Sequence, residues 1–489
     1  MKDSLKRPIV ALIFIILLGI FFRIYNFERG FSFAHDQDLY SWIAKDIIVN
    51  KHLRLSGQVT SVDGVFIGPA YYYLMAITYA IFNMNPIGAI VPLTIIGILN
   101  ILSFYWILKR FYGEKTALIA AFIESISFGM AAFDRWSVPT QPTILWCIWF
   151  LFIILEFSRG KLKYMWLYAV LVGLLWNVHI ALLPILPIPI LVYFLSKGKF
   201  KEKISRIKIK QILVSLLIFV VVNSPFFVFE FKHNFSQVKS TIAAIKMKTE
   251  GPTGMQKIEK VLDASGREFQ QRLFVGWEIE QVGWLWLVII FMLILLKTKK
   301  ILGNAEFIGI IFWIFLIVLA QFTSKRPVSE YYFSNVLPIL ILLVSLCLNI
   351  IDIKILSILG IIYLGLNANW LFKKSEMDSS YFFRKQVVEY IKSEVKKNNY
   401  PCIAINYIAD PGFGVGFRYL FWYEGIPLVK ASDKVPIFNI VIPWQISGNE
   451  INSHNGRFGV INPKKIITVD PTVCQDTKYY LDPLLGYTE

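Results

Sequence analysis

Twelve apolar runs punctuate this chain, at about 8–25, 67–82, 86–108, 116–133, 140–157, 164–177, 180–196, 211–229, 282–296, 304–322, 332–349 and 353–372. Hydrocarbon offers no partner for a backbone N–H or C=O, so such runs must close their own hydrogen bonds as helices, and about 20 apolar residues are needed to cross. Hydrophobic residues fill 56% of the 489 positions, which excludes an ordinary soluble enzyme and predicts a polytopic α-helical membrane protein. The net charge of +17 raises nucleic acid as a partner. The basic residues, however, sit in short links between apolar runs, as membrane anchors do. Membrane lipid is therefore an expected partner, and nucleic acid is not.

Charge also sets the sidedness. Suppose that 67–82 lies in the interface and does not cross. The links carrying Lys109/Arg110/Lys115, Arg159/Lys161/Lys163, the seven basic residues from Lys197 to Lys210, and Lys297/Lys299/Lys300 then share one side with the basic N-terminus, sixteen in all. The opposite short links, around Arg135, His179 and Lys325/Arg326, carry three. Counting 67–82 as a span would put the sixteen opposite the N-terminus, against the positive-inside rule. The segment also opens Gly68-Pro69-Ala70-Tyr71-Tyr72-Tyr73, and consecutive tyrosines favour the headgroup layer. The expectation is about eleven transmembrane helices in a plasma membrane, N-terminus cytoplasmic and C-terminus outside. The first run, after Lys2, Lys6 and Arg7, reads as a retained signal anchor, because no small-residue cleavage site follows.

Three outward regions follow: a first loop at about 26–85, a polar loop at 230–281, and everything from 376. The last is expected to be a small extracytoplasmic α/β domain, residues 376–489, with a helix over Phe382–Asn398 and strands over Cys402–Ile408 and Ile437–Ile442. Residues 1–375 form the transmembrane domain. Cys147 and Cys347 lie in apolar runs, whereas Cys402 and Cys474 fall in the polar C-terminal region and could pair if it is secreted.

Chemistry is sought first in Phe33-Ala34-His35-Asp36-Gln37-Asp38, just past the outer end of the first helix. A partly desolvated carboxylate beside a membrane can take a proton from an acceptor hydroxyl, and acids at such boundaries are commonly functional. Asp36 is the candidate base. Asp38 is a candidate helix cap over Leu39–Asn50 and a candidate substrate contact. Asp134-Arg135-Trp136 ends the 116–133 run on the same side; Arg135 there can clamp a phosphate and Asp134 can support a metal or a sugar hydroxyl, or the two can simply pair. His179 lies in a predicted outer hairpin, where a lone His is more often a structural hydrogen-bonder than a ligand. Lys232 and His233, Arg326, and Tyr72 complete the substrate-binding candidates, the cations as contacts for a lipid-linked phosphate. Ordinary interfacial anchoring is the competing reading for each. No nucleotide is needed; a divalent metal at the acidic pair is open, with no ligand set assigned.

Taken together these residues resemble the membrane glycosyltransferases of the GT-C fold, in the branch of protein mannosyltransferases and lipid A aminoarabinose transferases. The resemblance covers roughly 8–375. It rests on Asp36-Gln37-Asp38, Gly68-Pro69-Ala70-Tyr71-Tyr72-Tyr73-Leu74, Arg135-Trp136 followed by Pro139, Asn177-Val178-His179, and Ser224-Pro225 leading to Glu230-Phe231-Lys232-His233, in that order and spacing. It implies an inverting hexosyl- or pentosyltransferase. The donor would be a sugar on a polyprenyl phosphate, and the acceptor a protein, lipid or glycan on the outer face. Asp36 would be the base, and Arg135, Lys232 or Arg326 would stabilise the leaving phosphate. The sequence departs from the branch at Asp38, which is one residue closer to the first acid, and at Val138-Pro139-Thr140-Gln141-Pro142.

The rival reading is a non-enzymatic transporter or flippase. It calls for ionisable residues near mid-membrane, for which Glu124 is the clearest candidate. No G-x-x-x-x-G-K-[ST] run is present, so an ATP-driven pump is not expected. G-x-S-x-G and H-E-x-x-H are also missing, and Gly412-Phe413-Gly414-Val415-Gly416 lacks the strand-turn-helix frame of a dinucleotide site.

Overall fold

A computed structural model describes residues 2–60, 62–246, 251–274, 282–325, 327–410, 416–464 and 468–475. The apolar runs form helices, and the architecture is polytopic and α-helical. Among the described residues four helices are long and apolar enough to cross a membrane: Pro86–Tyr112, Asn304–Thr323, Glu330–Asn349 and Ile353–Lys374. The count rises to six if two bent pairs each make one span. Five shorter apolar helices, Pro8–Ile24, Thr143–Ser158, Met165–Val178, Ile180–Leu195 and Leu285–Thr298, occupy the other expected positions. Among the described residues, four to six spans therefore stand by length and composition alone, and the expected eleven is reached only if each shorter helix also crosses.

Both bends have local causes. Glu114–Ile126 and Phe128–Asp134 meet at 64° around Ser127, whose extended backbone breaks the ladder while its hydroxyl accepts from the Met130 N–H. Ile209–Val222 and Ser224–Lys232 meet at 61°, where Pro225 lacks the N–H that a continuous helix would use. The tyrosine segment forms Ala70–Ile81, 12 residues long. At 1.5 Å per residue it reaches about 18 Å, short of a hydrocarbon core of about 30 Å.

The C-terminal region carries a four-stranded sheet of order β1-β2-β4-β3, with β1 at Ala404–Ala409, β2 at Ile437–Ile442, β3 at Ser453–Asn455 and β4 at Phe458–Ile461. β1 and β2 are parallel; β2–β4 and β3–β4 are antiparallel. The helix Tyr381–Lys397 packs on β3 and β4. Cys402 and Cys474 form a disulfide with Cα atoms 5.7 Å apart.

One core lies among the spans, where Phe150 stacks on Trp146 and meets Trp313 edge-on. A second core is shared between distant parts of the chain. Phe31, Phe33, Tyr40, Trp42 and Tyr79 from the first loop pack with Tyr381, Val388, Phe417, Tyr419 and Phe458 from the C-terminal region. The sheet region is therefore built onto the first loop through a common apolar interior.

Candidate active site

The first loop, the hairpin at His179, the end of the helix Asn304–Thr323 and the turn Glu330–Val336 line a cavity of about 740 Å³. Asp36 is the only carboxylate among its described lining residues, and no described Lys or Arg lines it.

Local structure explains where Asp36 stands. The helix His35–Ile48 starts after Ala34, whose backbone is extended. The side chain of Gln37 accepts the Ala34 N–H at 2.9 Å and donates to the Ser137 carbonyl at 2.7 Å, so it ties the helix start to the turn after Arg135. Asp36 thus falls in a first helical turn, where unpaired N–H groups and the helix dipole favour a negative charge. Its Oδ1 accepts from the Gln58 side-chain amide at 3.3 Å. Gln58 is itself fixed, since its backbone N–H donates to Tyr72 Oη at 2.9 Å. The close approach requires glycine at 57, because a Cβ there would stand 1.9 Å from the Tyr72 ring.

The opposite wall is built by Trp176 and His179, with Asn177 between them. Asn177 Oδ1 accepts the Ala70 N–H at 3.1 Å, and a Cβ on Gly68 would collide with it, so these separated sequence pieces form one joint. His179 follows the helix Met165–Val178, and its Nδ1 accepts the Ala181 N–H at 3.0 Å. In the neutral ring Nε2 then carries the proton. Burial drives its pKa down to about 4, so the imidazole is neutral at physiological pH. The rings of Tyr331 and Tyr332 stand 6.0 and 5.5 Å away, and all three residues line the cavity.

The other sequence candidates are placed elsewhere. Asp38 does not cap a helix over Leu39–Asn50: the helix has already begun at His35. Its Oδ1 instead accepts the Tyr419 N–H at 2.9 Å, on the side of the C-terminal region. Asp134 is buried, accepting from Arg23 Nε at 2.7 Å and from the Gln141 side chain at 3.1 Å. Arg135 donates to the carbonyls of Phe22, Arg23 and Tyr25, so it closes the end of the first helix and leaves the cavity wall to its neighbour Trp136. Lys232 is exposed at a helix end, and His233 stacks on Phe229 with its Nδ1 on the Phe229 carbonyl. Neither lines the cavity. Tyr72 lies behind Gln58, and Arg326 falls outside the described residues.

Sequence reasoning missed Gln58, Gln37 and Arg23. Gln37 carries a readable signal, since an amide three residues after an extended position matches half of a capping box. Arg23 closes an apolar run, but its partners Glu124 and Asp134 lie more than a hundred positions away. Among the described residues no group of three His, Cys, Asp or Glu side chains converges to hold a metal. Asp36 lines the cavity, whereas Asp38 does not and holds the Tyr419 N–H.

The family model of the dolichyl-phosphate-mannose-protein mannosyltransferases matches residues 67–229, about a third of the chain. That stretch contains the Gly68–Asn177 joint, Arg135 and His179, and it omits Asp36. No curated protein matches the chain. ArnT from Cupriavidus metallidurans bound to undecaprenyl phosphate aligns at a TM-score of 0.61 and 11% identity, over 94% of this chain and 99% of that one. Its apo state aligns at 0.64 and 9%, over 94% and 98%. The chain has the GT-C fold.

Proposed function

We propose that this GT-C protein is an inverting glycosyltransferase that moves a hexosyl or pentosyl group from a polyprenyl phosphate to an acceptor at the outer membrane face. The observation that carries the reading is the solitary Asp36 carboxylate in the cavity, hydrogen-bonded by Gln58 and neutralised by no described cation. An acceptor hydroxyl gives its proton to Asp36 as its oxygen attacks the anomeric carbon. The bond from that carbon to the phosphate oxygen breaks, and the polyprenyl phosphate leaves with the electron pair. A single displacement inverts the anomeric centre.

The Nε2–H of His179 and the hydroxyls of Tyr331 and Tyr332 are donors available to the phosphate. Arg326, two residues beyond the cavity-lining Ser324, is the proposed cation. Ile180 and Leu183 line the cavity and stay exposed, an apolar flank suited to the prenyl tail. The lipid phosphate itself activates the sugar, so no nucleotide is needed on the outer face. The N-terminus is assigned to the cytoplasm and the sheet region to the outside. The acceptor is a protein, a lipid or a glycan.

The transporter reading has one observation behind it, the buried Arg23–Glu124–Asp134 cluster. Both acids there are engaged by one guanidinium, and neither lines the cavity. The test offers labelled polyprenyl-phosphate sugars and an envelope extract to wild type and to Asp36→Asn. Loss of about 100-fold or more is expected on removing a general base. Equal transfer by the variant excludes Asp36 as the base. Transfer by neither protein, with uptake of the sugar lipid into vesicles, establishes the transporter.

A further inference from the structure

At the opposite end of the helix Met165–Val178 from His179, a second cavity of about 420 Å³ opens among apolar side chains. Fourteen residues at 1.5 Å each put its mouth about 21 Å from the candidate active site. Its walls include Val172, Tyr193, Leu216 and Phe219. Leu162 and Ile207 line it as well, and each is bracketed by two exposed cations, Lys161 and Lys163 on one side and Arg206 and Lys208 on the other.

These two basic brackets are brought together in space. Arg206 Nη1 lies 3.9 Å from where a Cβ on Gly160 would stand, beside Lys161. Among the described residues none of the four makes an ion pair. The nearby buried acids are already taken, Glu156 by Arg110 and Glu306 by Arg159. Glu202 is the one acid between Lys197 and Lys210. The cavity wall also holds one polar atom without a hydrogen-bond partner among the described residues, the Ser215 hydroxyl. It lies seven residues into the membrane-facing helix from Lys208, about 10 Å deep.

We infer that this groove binds an anionic glycerophospholipid of the leaflet on that face. An acyl chain fills the apolar cavity, the phosphate sits among Lys161, Lys163, Arg206 and Lys208, and an ester carbonyl is within the chemistry of Ser215. Charge complementarity selects the occupant. A zwitterionic lipid brings its own cation to a collar that already has four, whereas an anionic headgroup brings only the missing charge. This inference is independent of the glycosyltransferase reading.

The full-length protein in detergent, titrated with phosphatidylglycerol or phosphatidylcholine of identical acyl chains, tests it by native mass spectrometry. Wild type should retain one phosphatidylglycerol with about ten-fold preference over phosphatidylcholine. K161S/K163S/R206S/K208S should lose the preference while keeping its melting temperature, and K299S/K300S, on another link, should keep it. V172W, which fills the groove, should lose the retained lipid whatever its headgroup. Equal retention of the two lipids by wild type overturns the inference, as does an undiminished preference in the quadruple variant. Displacement of phosphatidylglycerol by a polyprenyl phosphate at equal concentration also overturns it, assigning the groove to the proposed donor.

Discussion

Asp38 Oδ1 accepts the Tyr419 N–H at 2.9 Å, from the same helical turn on which Asp36 faces the cavity. Two acids at adjacent even positions thus serve opposite neighbours, one the cavity and the other the sheet region. The contact is buried, and the chain comes close enough that a Cβ on Gly416 would stand 2.6 Å from the Ala34 carbonyl. Hydrogen bonds to charged acceptors contribute about 2 kcal/mol. Asp38→Ala should therefore accelerate hydrogen exchange at the Tyr419 amide about 30-fold. An unchanged exchange rate would show that this contact does not hold the two regions together.

Gly57→Ala should disturb the site without touching a lining carboxylate. The new methyl meets the Tyr72 ring, and Gln58, one residue on, shifts from Asp36. Misplacing a catalytic group by about 1 Å costs roughly 100-fold in turnover. Kinetics of the proposed transfer, run beside a melting curve, give the measurement. Wild-type turnover in a folded variant would remove Gln58 from the positioning of Asp36.

His179 makes stability pH-dependent in a defined direction. Burial lowers its pKa from 6.5 to about 4, so the unfolded chain binds the proton more readily than the folded one. Stability is then complete above about 6.5 and falls as pH drops toward 4, by roughly 3 kcal/mol in all. His179→Gln should flatten that part of the profile of melting temperature against pH. A slope identical to wild type would assign the acid sensitivity to other groups.

The Cys402–Cys474 disulfide closes a separation of 72 residues. Replacing both with Ser should cost about 2–5 kcal/mol, read as an earlier unfolding transition in urea. Because the sheet region and the first loop share a core, the loss should appear in the helix His35–Ile48 too. Exchange confined to the sheet region would show that the two cores unfold separately.

Much of this arrangement is readable from local chemistry. Asp36 follows an apolar run within a stretch too polar for the bilayer, the tyrosines after Gly68 mark a segment unsuited to crossing, and the two C-terminal cysteines share the polar region in which they pair. What is not readable depends on direction in space. Arg135 looks like a phosphate clamp until the carbonyls of Phe22, Arg23 and Tyr25 arrive beside it from the end of the first helix, more than a hundred positions earlier. Asp38 looks like a cap because its partner, the Tyr419 N–H, lies 381 positions away. β3 and β4 span only 3 and 4 residues, too few for an alternating pattern to rise above background.

The shared core also fixes an order of assembly. Phe31, Phe33, Tyr40 and Trp42 leave the ribosome more than three hundred residues before Tyr381, Phe417 and Tyr419, which cover them. Until then that aromatic surface has only its first-loop neighbours such as Tyr71 and Tyr79 to pack against, and the turn carrying Asp36 lacks its contact with the Tyr419 N–H. The part of the molecule made among the first is completed among the last. A nascent chain stopped before the sheet region would hold its spans but an unfinished site.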